Sequence, residues 1–182
     1  MARPATIPTV NADELRAIQG PIKSRYREEP EAAVITLRAQ GAIGGDGISC
    51  RVDTGRALVD AGLHPSTGGT VELACSGDML LEALAACAGV TLCAVATALE
   101  IPVAGGTVDA EGELDVRGTL GVDREAPVGF RAIRLRFNVD TDADAEQLAS
   151  LLKLTERYCV VLQTIRGGVA VDASMERVGA AA

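Results

Sequence analysis

The chain of 182 residues is long enough for one sizeable hydrophobic core, and its length favours a single domain. Its composition is 48% hydrophobic but only 2% aromatic, so the core must come from Ala, Val, Leu and Ile, small side chains that favour close helix packing or burial against a second copy of the chain. A formal charge of -8 leaves no basic footprint for nucleic acid or an anionic membrane surface, so small molecules and protein partners remain.

The opening "MARPATIPTV" has no apolar stretch of the kind that marks export, which places the chain in the cytoplasm. Residues 1–30 read as a helical extension. Asn11 is a good N-cap, Glu14 completes a capping box, and Val10 with Leu15 makes a hydrophobic staple. Gly20 and Pro21 are expected to end this helix. The main domain should span residues 31–178, followed by a frayed tail over 179–182.

Residues 32–40 and 47–53 alternate apolar and polar side chains, as half-buried strands do, and "GAIGGDG" between them supplies a turn. Its glycines lack the spacing of a nucleotide-binding loop. The next stretch, residues 55–73, is turn-rich and holds the lone His64. Ser76 is then placed to cap a long helix over residues 77–99, with Asp78 in its first turn against the positive end of the helix dipole. The charge-free part of that helix, residues 83–99, falls short of the roughly 20 strongly apolar residues of a membrane span and is rich in small side chains. A buried core helix explains it more simply.

Two further strands alternate cleanly. Val108, Ala110, Leu114 and Val116 oppose Asp109, Glu111, Glu113, Asp115 and Arg117; Ile133, Leu135, Phe137 and Val139 oppose Arg134, Arg136 and Asn138. One-sided alternation favours antiparallel sheet. Thr141 with Asp144 opens a helical stripe running through Leu148, Leu151, Leu152, Thr155, Tyr158, Cys159 and Leu162, ended by Gly167-Gly168. A last strand reads Val169, Val171, Ala173, Met175. The order is that of an α+β protein.

Five cysteines at irregular spacing (Cys50, Cys75, Cys87, Cys93, Cys159) do not make a disulfide framework. Cys87 in "LLEALAACAGVT" and Cys159 in "LTERYCVVLQTI" both fall on helix faces expected to be buried. They are either inert small hydrophobes or a redox pair, which would require one sulfur held as thiolate by a nearby cation or helix N-terminus and the other within bridging reach.

"SGDMLLEALAACAGVTL", followed about seventy residues later by "LTERYCVVLQTI" with two alternating strands between, resembles the family of osmotically inducible protein C (OsmC) and organic hydroperoxide resistance protein, over about residues 31–178. The resemblance implies an intertwined homodimer with antiparallel sheets wrapped around long central helices. It also implies a thiol peroxidase in which Cys87 attacks an organic hydroperoxide, Cys159 resolves the product to a disulfide, and an external thiol or dithiol reduces it. No cofactor or metal is called for, and the partners exclude nucleic acid and membrane. The alternative within the same fold is a non-enzymatic protein that binds an apolar ligand or senses thiol oxidation.

The sequence departs from the family pattern at the thiolate's support. Characterised members use an arginine from an early loop, paired to a glutamate near the start of the long helix. Here "GAIGGDG" contains no arginine, and the position ten residues before Cys87 is Gly77. Asp78 points to the other side of the helix. Arg38 and Arg51 are the nearest candidate activators, although alternation puts both on the polar strand face. His64 lacks companions for a zinc site and reads as a turn residue; Cys93 and Cys50 read as packing, Cys75 as a weak reactive candidate, and Glu156 with Arg157 as a surface pair.

Overall fold

The computed structural model describes residues 11–28, 40–43, 49–53, 58–69, 72–121 and 123–177. Helix α1 spans Ala12–Glu28, with the expected capping box in place: the Asn11 and Glu14 backbone N–H groups each donate at 2.9 Å to the other's side chain. Val10 of the expected staple lies outside the described residues. Gly20-Pro21 does not end this helix; Pro21 sits inside it. The loss of one helical hydrogen bond at proline is tolerated in an exposed helix whose remaining turns are intact.

Strands β1 (Gln40–Ile43), β2 (Ser49–Asp53), β3 (Leu58–Gly62) and β4 (Ala74–Cys75) form one sheet in that order. Pairing is antiparallel except between β3 and β4, which run parallel over Ala61↔Ala74 and Gly62↔Cys75. β1 occupies Gly41–Ile43, which sequence assigns to the turn, and β3 lies in the segment read as turn-rich. Both strands are short and carry glycines, so local patterning is weak and pairing decides. Part of the first alternating segment, residues 32–39, lies outside the described residues. His64 is a turn residue as expected: its Nδ1 accepts from the Ser66 N–H at 3.1 Å at the start of a 3-10 turn over Pro65–Thr67.

Helix α2 runs over Ser76–Leu99. Ser76 is its first helical residue rather than its cap; Cys75 takes the N-cap position without a side-chain hydrogen bond. By length and composition α2 could cross a membrane, contrary to expectation. Within the fold it packs against β5, α4 and α5 as a core helix. Its buried residues Leu84, Ala88, Leu92, Val95 and Ala96 lie on one side. Glu100, in the left-handed region at φ 59°, ends it and pairs with Arg16 of α1 at 2.7 Å.

β5 (Gly105–Leu114) and β6 (Phe130–Asp140) form an antiparallel hairpin sheet. The alternation holds: Val108, Ala110, Ile133, Leu135 and Phe137 pack on the core, while Arg136–Glu111 (3.2 Å) and Arg134–Glu113 pair across the wet face. Gly112 leaves the room that the Phe130 ring fills, since a Cβ there would come within 2.5 Å of it. The first strand stops at Leu114, short of Val116 and Arg117; Asp115 instead caps the single turn α3, Val116–Thr119.

Helix α4 (Ala145–Tyr158) is capped by Asp144 with Gln147, not by Thr141 with Asp144. The stripe is not one helix. It breaks at Cys159 and resumes as α5, Val160–Gly167. Leu151, Thr155, Cys159 and Leu162 of the stripe are buried; Leu148, Leu152 and Tyr158 are exposed. The last expected strand does not form: residues 169–177 are exposed and carry no secondary structure. An alternating segment needs a neighbour's backbone to become a strand, and the described part of this chain offers it none. The architecture is α+β, two sheets with a long central helix.

Candidate functional site

Residues 72 apart in sequence, Cys87 and Cys159, meet in one cluster. α2 presents Cys87, half-buried, beside Leu84 and Ala88, which are both 0% exposed. Cys159 is also 0% exposed, at the joint between α4 and α5. Val108, Ala110, Ile133, Leu135 and Phe137 cover the pair from the β5–β6 sheet, and Val161, Leu162 and Ile165 from α5. Both thiols are free and within hydrogen-bonding reach of each other.

The joint has a specific backbone shape. Cys159 adopts φ -71° and ψ 106°, an extended conformation between two helices. Its own N–H still bonds the Thr155 carbonyl at 3.0 Å, and its carbonyl accepts from the Gln163 N–H at 2.9 Å. The Val160 and Val161 N–H groups begin a new helix and so need no partner in the preceding turn. Both lie near the Cys87 sulfur and lower its pKa, and the Val161 N–H acts on Cys159 as well.

This geometry divides the charge between the two sulfurs. Burial pushes the Cys87 thiol up, but the Val161 N–H, the Cys159 thiol, the Val160 N–H and the Thr91 hydroxyl together outweigh it, and the net displacement is downward. The single proton of the Thr91 hydroxyl goes to the Cys87 carbonyl at 2.7 Å, and its share at the sulfur is the smallest of the four. Burial pushes Cys159 up, and its hydrogen bond to Cys87 and the charge there push it further, against the Leu162 and Val161 N–H groups. Cys87 is thus the sulfur that ionises first, and Cys159 the one that keeps its proton.

The support at Cys87 differs from the expected cation. No described guanidinium is among the groups that lower it. Arg38 lies outside the described residues, and Arg51 is described only as β2 backbone opposite Ala42 and Asp60. At Gly77, the position of the family's glutamate, a Cβ would stand 3.4 Å from the Phe130 ring, so the surroundings there are apolar. Glu156 does not pair with Arg157 as sequence suggests. It holds Arg166 at 3.0 and 3.3 Å, while Arg157 lies over the Tyr158 ring, 5.6 Å from its centre. Cys93 is exposed on another face of α2, Cys75 is half-buried at its N-terminus, and the Cys50 side chain lies outside the described residues.

A cleft of about 630 Å³ adjoins the cluster, walled by Leu80, Leu84, Phe130, Ile133, Leu162 and Ile165, with Arg131, Glu156 and Arg166 among its polar residues. Leu84 and Leu162 belong to both cleft and cluster, although neither cysteine lines the cleft. Sequence reasoning found the two thiols and missed Val160, Val161 and Gln163. Its only available hint was the β-branched pair Val160-Val161, which weakens helix continuity just after Cys159.

An α+β protein in which a long apolar helix carries one thiol of a buried, charge-divided pair is the class that fold and site define. A family model described as OsmC-like protein matches residues 69–174, and the chain belongs to that family. Among solved structures, an OsmC-like protein from Mycoplasma pneumoniae is similar with a TM-score of 0.61 at 17% identity, over 74% of this chain and 89% of that one. An organic hydroperoxide resistance protein from Elizabethkingia anophelis gives 0.60 at 18% identity, over 75% and 91%. Another, from Legionella pneumophila, gives 0.58 at 19%, over 74% and 92%. At these identities the likeness is one of fold. No curated protein matches the sequence.

Proposed function

We propose that this protein is a thiol peroxidase for organic hydroperoxides, with Cys87 as the attacking and Cys159 as the resolving sulfur. The observation that carries the reading is the meeting of two free thiols, 72 residues apart in sequence, in one apolar cluster, the half-buried one on α2 displaced downward and its buried neighbour upward. The Cys87 thiolate attacks the O–O bond of ROOH, giving Cys87 sulfenic acid and an alkoxide. The Cys159 thiol supplies the proton that releases ROH. The Cys159 thiolate then displaces hydroxide from the sulfenic acid, and protonation by solvent gives water and a Cys87–Cys159 disulfide. An external thiol or dithiol returns both thiols. The apolar cleft beside the cluster favours alkyl over hydrogen peroxide.

The working unit is a homodimer. Ala83, Ala86, Val90 and Cys93 share the open face of α2, with Val90 73% exposed, and small apolar side chains at this spacing suit a second helix packed closely against them.

One stoichiometric equivalent of an alkyl hydroperoxide added to reduced protein should consume two thiols and yield a Cys87–Cys159 crosslink by peptide mapping, and Cys87→Ser should abolish turnover. Retention of all five thiols would instead leave a non-enzymatic binder of apolar ligands. The separation of the cleft lining from both sulfurs favours that second reading.

A further inference from the structure

The break at Cys159 leaves a debt in the backbone of α4. In a continuous helix the Val160 N–H would satisfy the Glu156 carbonyl; here Cys159 is extended and Val160 opens a new helix near the Cys87 sulfur, so the carbonyl needs another donor. Gln163 supplies it. Its side-chain Nε2 reaches back across the joint and donates to the Glu156 carbonyl at 2.7 Å, while its own N–H closes the first turn of α5 on the Cys159 carbonyl at 2.9 Å. A single residue therefore occupies both sides of the break. The exposed Glu156–Arg166 ion pair crosses the same joint but caps no backbone group.

We propose that Gln163 is a positioning residue: by capping the Glu156 carbonyl it holds the break open at Cys159, so that the Val160 and Val161 N–H groups stay turned on the Cys87 sulfur. Without that donor, the Glu156 carbonyl competes for the Val160 N–H, α4 and α5 tend to fuse, and Cys87 loses hydrogen-bond donors. The proposal rests on Cys87 being the attacking thiol, and it assigns that sulfur's activation to backbone geometry locked by an amide side chain. Gln163 is exposed, so its replacement leaves the core packing untouched.

The test follows the pH profile of Cys87 alkylation by iodoacetamide, read by peptide mass mapping in the full chain. Gln163→Leu should move the midpoint upward and slow Cys87 alkylation at pH 7 by roughly threefold to tenfold, the scale of a weakened helix-terminus interaction. Gln163→Lys, which restores a donor able to reach the carbonyl, should bring the midpoint back. Arg166→Met, which removes the ion pair but leaves the carbonyl capped, should not move it. An unmoved midpoint in Gln163→Leu, or an equal shift in Arg166→Met, would overturn the proposal. Peroxide turnover by the unmodified protein is scored separately. A shifted midpoint without turnover sinks the peroxidase and keeps the latch, and turnover with an unmoved midpoint does the reverse.

Discussion

Cys87 and Cys159 sit in the same apolar cluster, yet their thiols move in opposite directions: burial raises both, but at Cys87 the donated hydrogen bonds outweigh it, while at Cys159 burial, with the hydrogen bond to Cys87 and the charge there, outweighs the N–H groups. The sign fixes a pH order. A thiol displaced downward holds more thiolate at a given pH than an ordinary thiol, and its reactivity rises with pH until it is fully ionised. A thiol displaced upward reacts only at higher pH. Alkylation followed from acid to alkaline pH should therefore modify Cys87 first and Cys159 last, even after partial unfolding of neither; modification of Cys159 ahead of Cys87 would reverse the assignment of attacking and resolving sulfur.

The elements that hold the pair apart from solvent are set by their ends as much as by their faces. α4 begins at a full capping box, in which the Asp144 side chain accepts from the Gln147 N–H at 2.8 Å and the Gln147 side chain accepts from the Asp144 N–H at 3.0 Å. Its far end is the break that shapes the site. Asp144→Ala should destabilise the protein by about 1 kcal/mol in urea unfolding, the usual cost of a lost N-cap. Because the cap lies more than three turns from Cys159, Cys87 alkylation should be unaffected. Coupled loss of both would show that α4 moves as a rigid lever. The cap at Asn11 was legible in the sequence, since a cap is a contact between residues three apart; for α4 the same spacing also fitted Thr141 with Asp144, one turn too early, and the observed cap is Asp144 with Gln147. The continuation of α1 through Pro21 and the break without proline or glycine at Cys159 were not legible, since neither follows from local propensity.

For the whole molecule, α2 buries one face inside the chain and leaves Ala83, Ala86, Val90 and Cys93 open on the other. Residues 169–177 keep the alternation of a strand without a partner strand among the described residues. Both features fit a second copy. Val90→Glu should place a charge in the helix contact and shift the mass measured by light scattering from dimer toward monomer, with helix content by circular dichroism retained. A monomeric parent protein would remove this role from α2.

The class of fold is readable from side-chain periodicity: alternation over residues 133–139, the uncharged run within α2, and an apolar stripe leading to Cys159 are signals that need no tertiary contact. The sequence also located the resemblance on which the reading of Cys87 and Cys159 depends. What lowers the Cys87 thiol against its burial is legible in the folded chain alone, because the groups that do so include the backbone N–H groups of Val161 and Val160. Every residue but proline has such a group, so no letter of the sequence marks it. It becomes available only where a helix breaks, and this helix breaks where packing on Cys87 and the amide of Gln163 outweigh the next turn's hydrogen bond.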